Sequence, residues 1–147
     1  MNSINLENTY TSLPQEFFRY TEAEAMPDVN VVTINEQLAD LLNIDIGFLK
    51  SQSGLRFLSG KNSKTLTNSI SLAYAGHQFG HLVPQLGDGR AVLLGDKICQ
   101  DGVRRDIQLK GSGKTYFSRG GDGRAGIGPV IREYLISESM HHLGIPT

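Results

Sequence analysis

Two identical tetrapeptides are the residues in this sequence best suited to chemistry. Gly-Asp-Gly-Arg occurs at Gly87–Arg90 and again at Gly121–Arg124. Between them an alternating segment ends at Lys110, and the small-residue turn Gly111–Gly113 follows. Glycine lets backbone N–H groups approach a ligand closely, and arginine and lysine supply positive charge. The combination predicts a site for phosphate groups.

The same tetrapeptides also allow a purely local role. Asp88 could brace Arg90 within one turn, and Asp122 could brace Arg124 within the other, because aspartate commonly hydrogen-bonds to nearby turn amides. The repetition favours ligand contact only modestly over this alternative.

Glycine and positive charge are concentrated in the same part of the chain. Of the 17 glycines, 13 fall between Gly76 and Gly128. Residues 86–124 carry eight basic and five acidic side chains, a charge of +3, whereas residues 1–50 carry two basic and eight acidic ones, a charge of -6. The chain as a whole has a net charge of -1, which argues against a general nucleic-acid binder. A short basic region favours a compact polyanion such as a nucleotide.

Length and composition predict one soluble globular core. The chain has 147 residues, of which 39% are hydrophobic, which is enough for one core and too short for two ordinary domains. No stretch approaches the roughly 20 apolar residues of a membrane helix, and the first residues lack the pattern of a signal peptide. We therefore expect a cytoplasmic protein. The single cysteine excludes an internal disulfide.

The elements that must position the basic residues are predicted by local patterns. Ala91–Leu94 and Asp106–Lys110 have the composition of strands, and the Asp-Gly pair at 101–102 is typical of a hairpin turn. In the second strand Ile107 and Leu109 alternate with polar neighbours, so Lys110 lies at a strand end on the face opposite the apolar pair.

Helices are predicted before and after this hairpin. Thr33 and Glu36 have the spacing of a capping box, which predicts a short helix beginning there. Residues 51–68 are polar and contain two glycines, which predicts a loop or two short turns. The last helix has Pro129 in its first turn, and Gly144 ends it.

Lys110 and Glu133 form a candidate ion pair. They are 23 positions apart, one on a strand and the other near the start of the following helix. A carboxylate that holds the lysine would aim its ammonium group at a phosphate, and this strand-lysine, helix-glutamate arrangement recurs in kinase folds. The alternative is two unrelated surface charges.

Three other patterns are weaker. Gly111–Thr115 resembles the end of a P-loop, but the required first glycine is replaced by Gln108. Residues 121–126 fit a dinucleotide-binding glycine pattern, although only a weak strand pattern precedes them. His77 and His81 are four residues apart, a spacing that can bind a metal from one helix face, but glycines flank them and no third ligand is evident. We therefore expect a loop or helix-end role for the two histidines.

Six longer runs carry a further signal. They are Ala73–Gly80, Pro84–Ala91, Leu109–Gly113, Ser118–Ala125, Arg132–Leu135 and His142–Thr147. These runs resemble the selenoprotein O (SelO/YdiU) family, and the resemblance is strong over residues 72–147 and weaker over the first 70.

This resemblance implies an α+β chain with a protein-kinase-like fold. It implies part of an N-terminal lobe, with an antiparallel β-hairpin and a following helix. Residues 1–70 are then an N-terminal scaffold arm with short helices. Residues 71–147 are the nucleotide-binding part of a kinase-like N-lobe, and the C-lobe is absent.

The resemblance also implies an activity. Members of the family are understood as pseudokinases that bind ATP in a reversed orientation and transfer AMP to Ser, Thr or Tyr hydroxyls of proteins, a reaction called AMPylation. Lys110 and Glu133 fall on the family's supporting ion pair. The positions that fall on the family's ATP-binding residues are Gly87, Gly89, Arg90, Lys110, Asp122 and Gly123.

The rest of the family's machinery is expected beyond Thr147. It comprises the catalytic aspartate, the ligands for Mg²⁺ (or Mn²⁺), further phosphate-binding arginines and a terminal selenocysteine or cysteine. We therefore expect the chain to be the N-terminal part of a larger protein adenylyltransferase and to be inactive alone. The expected partners are ATP and protein substrates, not nucleic acid or membrane, and the expected location is the cytoplasm, or the mitochondrion in a eukaryote.

Two alternatives remain at this point. The chain could be a non-catalytic nucleotide-binding or interaction module, because no acid and metal cluster is evident in it. It could also belong to a kinase-like phosphotransferase that transfers the γ-phosphate instead of AMP.

Overall fold

The computed structural model describes residues 4–61 and 68–146, and within these ranges it is a mixed α/β structure with antiparallel sheets, in agreement with the predicted α+β class. A four-stranded sheet has the order β1-β2-β5-β6, and β3 and β4 form a separate two-stranded hairpin. The strands are β1 (Phe18–Tyr20), β2 (Ile70–Leu72), β3 (Gly76–Gln78), β4 (His81–Val83), β5 (Ala91–Ile98) and β6 (Arg104–Lys110). The helices are α1 (Glu36–Leu41), α2 (Ile46–Leu49), α3 (Gln52–Leu58) and α4 (Ile127–His142), and two short 3₁₀ turns lie at Thr9–Ser12 and Gln15–Phe17.

The predicted hairpin is confirmed and is longer than the sequence indicated. β5 and β6 pair antiparallel, with Ala91 opposite Lys110 and Ile98 opposite Arg104. Exposure alternates along β6, as the alternating pattern predicts, and Lys110 lies on the more exposed set. The N–H of Gly111 donates to the carbonyl of Arg90 at 2.7 Å. The end of β6 is therefore fixed beside the first Gly-Asp-Gly-Arg turn.

The core lies where β5 crosses the middle of the sheet. Phe18, Ile70 and Leu93 form its buried centre, and Tyr10 and Leu72 pack against them. Their neighbours Val92 and Leu94 on β5 are also fully buried. A strand buried on both faces needs an apolar run, which the sequence supplies at residues 91–94.

The N-terminal arm is fixed to the sheet through a buried carboxylate. Glu7 and Asp96 exchange two backbone hydrogen bonds of 2.9 and 2.8 Å. The fully buried Asp96 side chain accepts from the N–H and the hydroxyl of Thr9, each at 2.8 Å, and from the guanidinium of Arg104. Burial alone would raise the pKa of Asp96, but these hydrogen bonds outweigh it, and the pKa is lowered.

Two local predictions for the first helices are wrong. The N-cap of α1 is Asn35, whose side chain accepts from the N–H of Leu38 at 2.9 Å, so Thr33 does not begin a capping box. Asparagine is a stronger N-cap than threonine, and Asn35 directly precedes Glu36, the first residue of the helix. Residues 52–58, predicted as loop, form α3, because Ser51 caps that helix by accepting from the N–H of Gly54 at 3.1 Å. The remainder of that prediction at 62–67 lies outside the described residues.

The last helix is confirmed. It begins at Ile127, with Pro129 in its first turn. At its end Gly144 donates to the carbonyl of His141 at 2.9 Å and Ile145 to that of Met140 at 3.0 Å, which is the paired pattern of a Schellman cap. None of the helices in residues 4–61 and 68–146 combines the length and the apolar character that a bilayer crossing requires.

Candidate nucleotide-binding site

A cavity of about 630 Å³ lies between the two Gly-Asp-Gly-Arg turns. Its volume is in the range of small-molecule sites. All six residues predicted to bind ATP line it: Gly87, Gly89, Arg90, Lys110, Asp122 and Gly123. The fold therefore brings two distant repeats and the end of β6 to one place.

Lys110 and Glu133 form an ion pair at the edge of this cavity. Lys110 Nζ lies 2.6 Å from Glu133 Oε1, and the two side chains are 43% and 53% exposed. A pair this exposed adds only about 0–1 kcal/mol to stability. Its geometric effect is larger, since it holds the ammonium group in one direction on an otherwise flexible side chain. That it serves a nucleotide stays a prediction.

The first Gly-Asp-Gly-Arg turn uses its amides within the protein. The N–H of Gly87 donates to Tyr74 O at 3.3 Å, that of Asp88 to Leu72 O at 2.9 Å, and that of Gly89 to Gly87 O at 3.0 Å. The side chain of Arg90 is exposed and makes no hydrogen bond or ion pair with the described residues. This turn therefore offers a ligand a guanidinium group, and of its four backbone N–H groups only that of Arg90 has no partner among the described residues.

Glycine at position 87 is required by packing. The backbone φ of Gly87 is +65°, and an added Cβ would lie 2.3 Å from the ring of Phe117, which is buried. Thr115 and Ser118 fix the loop that carries this ring, because their hydroxyls donate to the carbonyls of Asp88 and Gly89 at 2.5 and 2.7 Å. The loop that carries Phe117 thus fixes the backbone of the first turn through these hydrogen bonds.

The second turn is arranged differently. Asp122 Oδ1 accepts from the N–H of Arg124 at 2.9 Å, and the guanidinium of Arg124 pairs with Glu24 at 2.8 Å. Aspartate therefore braces this turn locally, as the sequence allowed. The N–H groups of Asp122 and Gly123 make no hydrogen bond to the described residues. The second turn therefore has two backbone N–H groups without a partner among the described residues, while its arginine is engaged.

Asp88 is a buried carboxyl at the wall of the cavity. Its Oδ2 accepts from the N–H of Leu72 at 3.0 Å, and Tyr74 also hydrogen-bonds to it. Burial raises the pKa of Asp88, and the hydrogen bonds and the charge of Lys110 offset only part of that effect. Burial, together with the neighbouring Asp88 carboxylate, likewise raises the pKa of Tyr74. Asp88 thus links β2 to the first turn.

Sequence reasoning did not single out several residues that line the cavity. Tyr74, Gln78, Phe117 and Arg119 contribute to its walls. Three of these four are uncharged, and no spacing rule connects them to Lys110. The available signal was their position inside or beside the runs that resemble the SelO family.

The competing patterns do not form their predicted structures. Between β6 and α4 the chain forms turns and an isolated bridge between Ser112 and Arg124, so no strand precedes the glycines at 121–126 as a dinucleotide fold requires. His77 and His81 lie on β3 and β4, not in a loop or at a helix end. His77 is paired with Leu82, and Gln78 with His81, so the two histidines lie on opposite faces of the hairpin.

The described residues do not by themselves form a metal site. Across 4–61 and 68–146, no three His, Cys, Asp or Glu side chains come together in a way that could hold an ion. The Mg²⁺ expected from the resemblance does not fit a donor set in this part of the protein. Its ligands beyond Thr147 stay a prediction.

Comparison with known proteins shows the family of the chain. A family model described as "Protein adenylyltransferase SelO" matches residues 1–147. The chain belongs to the SelO family. Among its curated SelO relatives, a protein of Alkalilimnicola ehrlichii is 55% identical over 141 residues, which cover 96% of this chain and 28% of the relative. A protein of Clostridium botulinum is 53% identical over 146 residues, which cover 99% of this chain and 30% of the relative.

Both relatives carry the name "Protein nucleotidyltransferase YdiU". A third, from Bradyrhizobium diazoefficiens, has the same name and is 52% identical over 141 residues, 96% of this chain and 29% of the relative. The chain therefore spans less than a third of the length of the curated SelO relatives it matches. The family is established over the whole chain.

Proposed function

We propose that this chain is the N-terminal, nucleotide-binding part of a protein adenylyltransferase that transfers AMP from ATP to Ser, Thr or Tyr hydroxyls of proteins. The observation that carries the proposal is the meeting of Arg90, Lys110 and the second glycine turn in one cavity of a chain that belongs to the SelO family. The matching family description and the names of the relatives support nucleotidyl transfer as the reaction class. A protein-kinase-like lobe is the fold we propose for the surrounding elements.

The charges of the site suit the triphosphate. In AMP transfer, the acceptor oxygen forms a bond to the α-phosphorus, the bond from that phosphorus to the oxygen bridging to the β-phosphorus breaks, and pyrophosphate leaves. Negative charge then grows on the pyrophosphate. Preorganised cations and amide donors stabilise such charge without reorganising during the reaction.

Each residue of the site has a separate task in this proposal. Lys110, held by Glu133, and the free guanidinium of Arg90 neutralise phosphate charge. The free amides of Asp122 and Gly123 donate to phosphate oxygens. The group that accepts the hydroxyl proton lies outside the described residues in this proposal, as do the ligands of Mg²⁺, which would supply further charge neutralisation when bound.

Isotope placement tests the reaction. The full-length protein is incubated with a protein acceptor and ATP labelled either at the α- or at the γ-phosphate. We expect label on protein from the α-position only. Label from the γ-position only would establish a kinase-like phosphotransferase instead, and ATP binding without transfer of either label would establish a non-catalytic module. The 147-residue chain alone should transfer neither label.

A further inference from the structure

The β3–β4 hairpin contributes one residue to the lining of the cavity. Gln78 lines the cavity, and residues 77–82 are all exposed to solvent. At the base of the hairpin, the carbonyl of Tyr74 accepts from the N–H groups of both Leu86 and Gly87, at 2.7 and 3.3 Å. The hairpin is therefore joined directly to the turn that carries Arg90.

The lining of the cavity contains both charged and uncharged side chains. Arg90 and Lys110 supply positive charge, and Tyr74, Gln78 and Leu86 supply uncharged surface beside Arg119, whose guanidinium donates to the carbonyl of Leu86 at 3.4 Å. A nucleotide likewise has an anionic triphosphate and a flat, uncharged base. If the cations hold the phosphates, the uncharged wall is the part left to receive the base.

The amide of Gln78 is available to a base. It makes no hydrogen bond with the described residues, and it lies on the hairpin face that it shares with His81. A glutamine amide presents a donor and an acceptor side by side. This geometry matches the N6 amino group and N7 of adenine, which glutamine and asparagine bind as a bidentate pair.

The turn of the hairpin contains a residue that the fold does not explain. Phe79 and Gly80 form a two-residue turn with φ angles of +60° and +80°. Such a turn favours asparagine before glycine, and a bulky aromatic residue there is strained. Phe79 is 73% exposed, so burial does not offset the strain. Phe79 directly follows Gln78, which lines the cavity, and an exposed aromatic ring in a strained turn is suited to stacking on a base.

We infer that the β3–β4 hairpin is the base-binding arm of the site, with the Gln78 amide paired to the edge of adenine and the Phe79 ring stacked on its face. The inference rests on the proposed function, because it takes ATP as the ligand. It adds a specificity-determining pair of residues to the six phosphate-site positions.

Affinity for ATP is compared with affinity for inorganic tripolyphosphate, which has the charge without the base. Both are measured by calorimetry on the full-length protein and on three variants: Gln78→Leu, Phe79→Asn and the control His77→Leu, which changes the opposite face of the same strand. We expect the first two variants to weaken ATP binding at least about fivefold, the lower end of what loss of one stacking contact produces. Tripolyphosphate binding should stay within about twofold, and the control should change neither affinity.

Phe79→Asn keeps the test independent of folding. Asparagine suits the left-handed backbone at this position, so the thermal midpoint of the Phe79→Asn variant should equal or exceed that of the wild type. Equal losses of ATP and tripolyphosphate affinity, or no loss at all, would overturn the inference. A wild-type protein that binds neither ligand would instead overturn the proposed function and the inference with it.

Discussion

Replacing Gly123 by alanine tests whether the second glycine turn holds the nucleotide. The φ of Gly123 is +68°, and an added Cβ would lie 1.9 Å from the carbonyl oxygen of Gly113. Alanine in the left-handed region costs about 1–2 kcal/mol. The overlap is with backbone, so no side-chain rotation relieves it, and the turn must shift. That shift would break the hydrogen bond of 3.2 Å from the N–H of Gly113 to Gly123 O, worth about 0.5–1.5 kcal/mol.

The local cost is therefore roughly 1.5–3.5 kcal/mol, and the shift displaces the free amides of Asp122 and Gly123. A hydrogen bond to a charged group is worth about 1.5–3 kcal/mol, and about 1.4 kcal/mol corresponds to tenfold in affinity, so losing even one of these amide donors should weaken ATP binding of the full-length protein at least about tenfold, measured by calorimetry.

The matched control is Gly128→Ala. Gly128 lies in the first turn of α4, and an added Cβ there meets no atom within 4 Å. Alanine favours helix over glycine by up to about 1 kcal/mol, so this variant should be at least as stable as the wild type and bind ATP normally. Wild-type ATP affinity in Gly123→Ala would refute the role assigned to the second turn.

Three further predictions concern carboxylates. Glu133→Gln should leave the denaturant midpoint nearly unchanged, because the Lys110–Glu133 ion pair is half exposed, yet reduce kcat/KM for AMP transfer about tenfold, because Lys110 is no longer held in place. Equally small effects on the midpoint and on kcat/KM would contradict the positioning role of Glu133. Asp88 has a raised folded pKa, so its ionisation lowers the free energy of unfolding as the pH rises from 3.8 through its pKa in the folded state. Asp88→Asn should flatten that part of the plot of stability against pH, and an unchanged plot would show that another group causes the pH dependence. Asp96 has a lowered folded pKa, so its contribution to stability is present above pH 3.8 and is lost as the pH falls further, and the hydrogen-exchange protection of the Thr9 amide should fall in that acid range. At neutral pH, Asp96→Ala should lower the opening free energy of the Thr9 amide by about 1–3 kcal/mol, whereas persistent protection would contradict the anchoring of the N-terminal arm.

The elements predicted well are those specified by neighbouring residues. The β5–β6 hairpin follows from alternation around an Asp-Gly pair, and the end of α4 follows from Gly144. The helix α3 was missed because its polar residues resemble a loop, and its start depends on the single side-chain bond from Ser51. The capping-box spacing singled out Thr33, whereas the N-cap in the structure is Asn35, whose side chain accepts from the N–H of Leu38.

The sequence by itself determined the chemical character of the site: where glycine and positive charge concentrate, and that Lys110 ends a strand. Only the tertiary structure decided what each identical tetrapeptide offers. In the first turn, carbonyl groups such as that of Tyr74 accept hydrogen bonds from the amides, and the Arg90 side chain has no partner among the described residues. In the second turn, the Arg124 side chain pairs with Glu24, 100 residues away in sequence, and two amides have no such partner. The same four residues thus differ in which polar groups remain unpaired, because hydrogen-bond partners are set by neighbours in space, which local sequence does not specify.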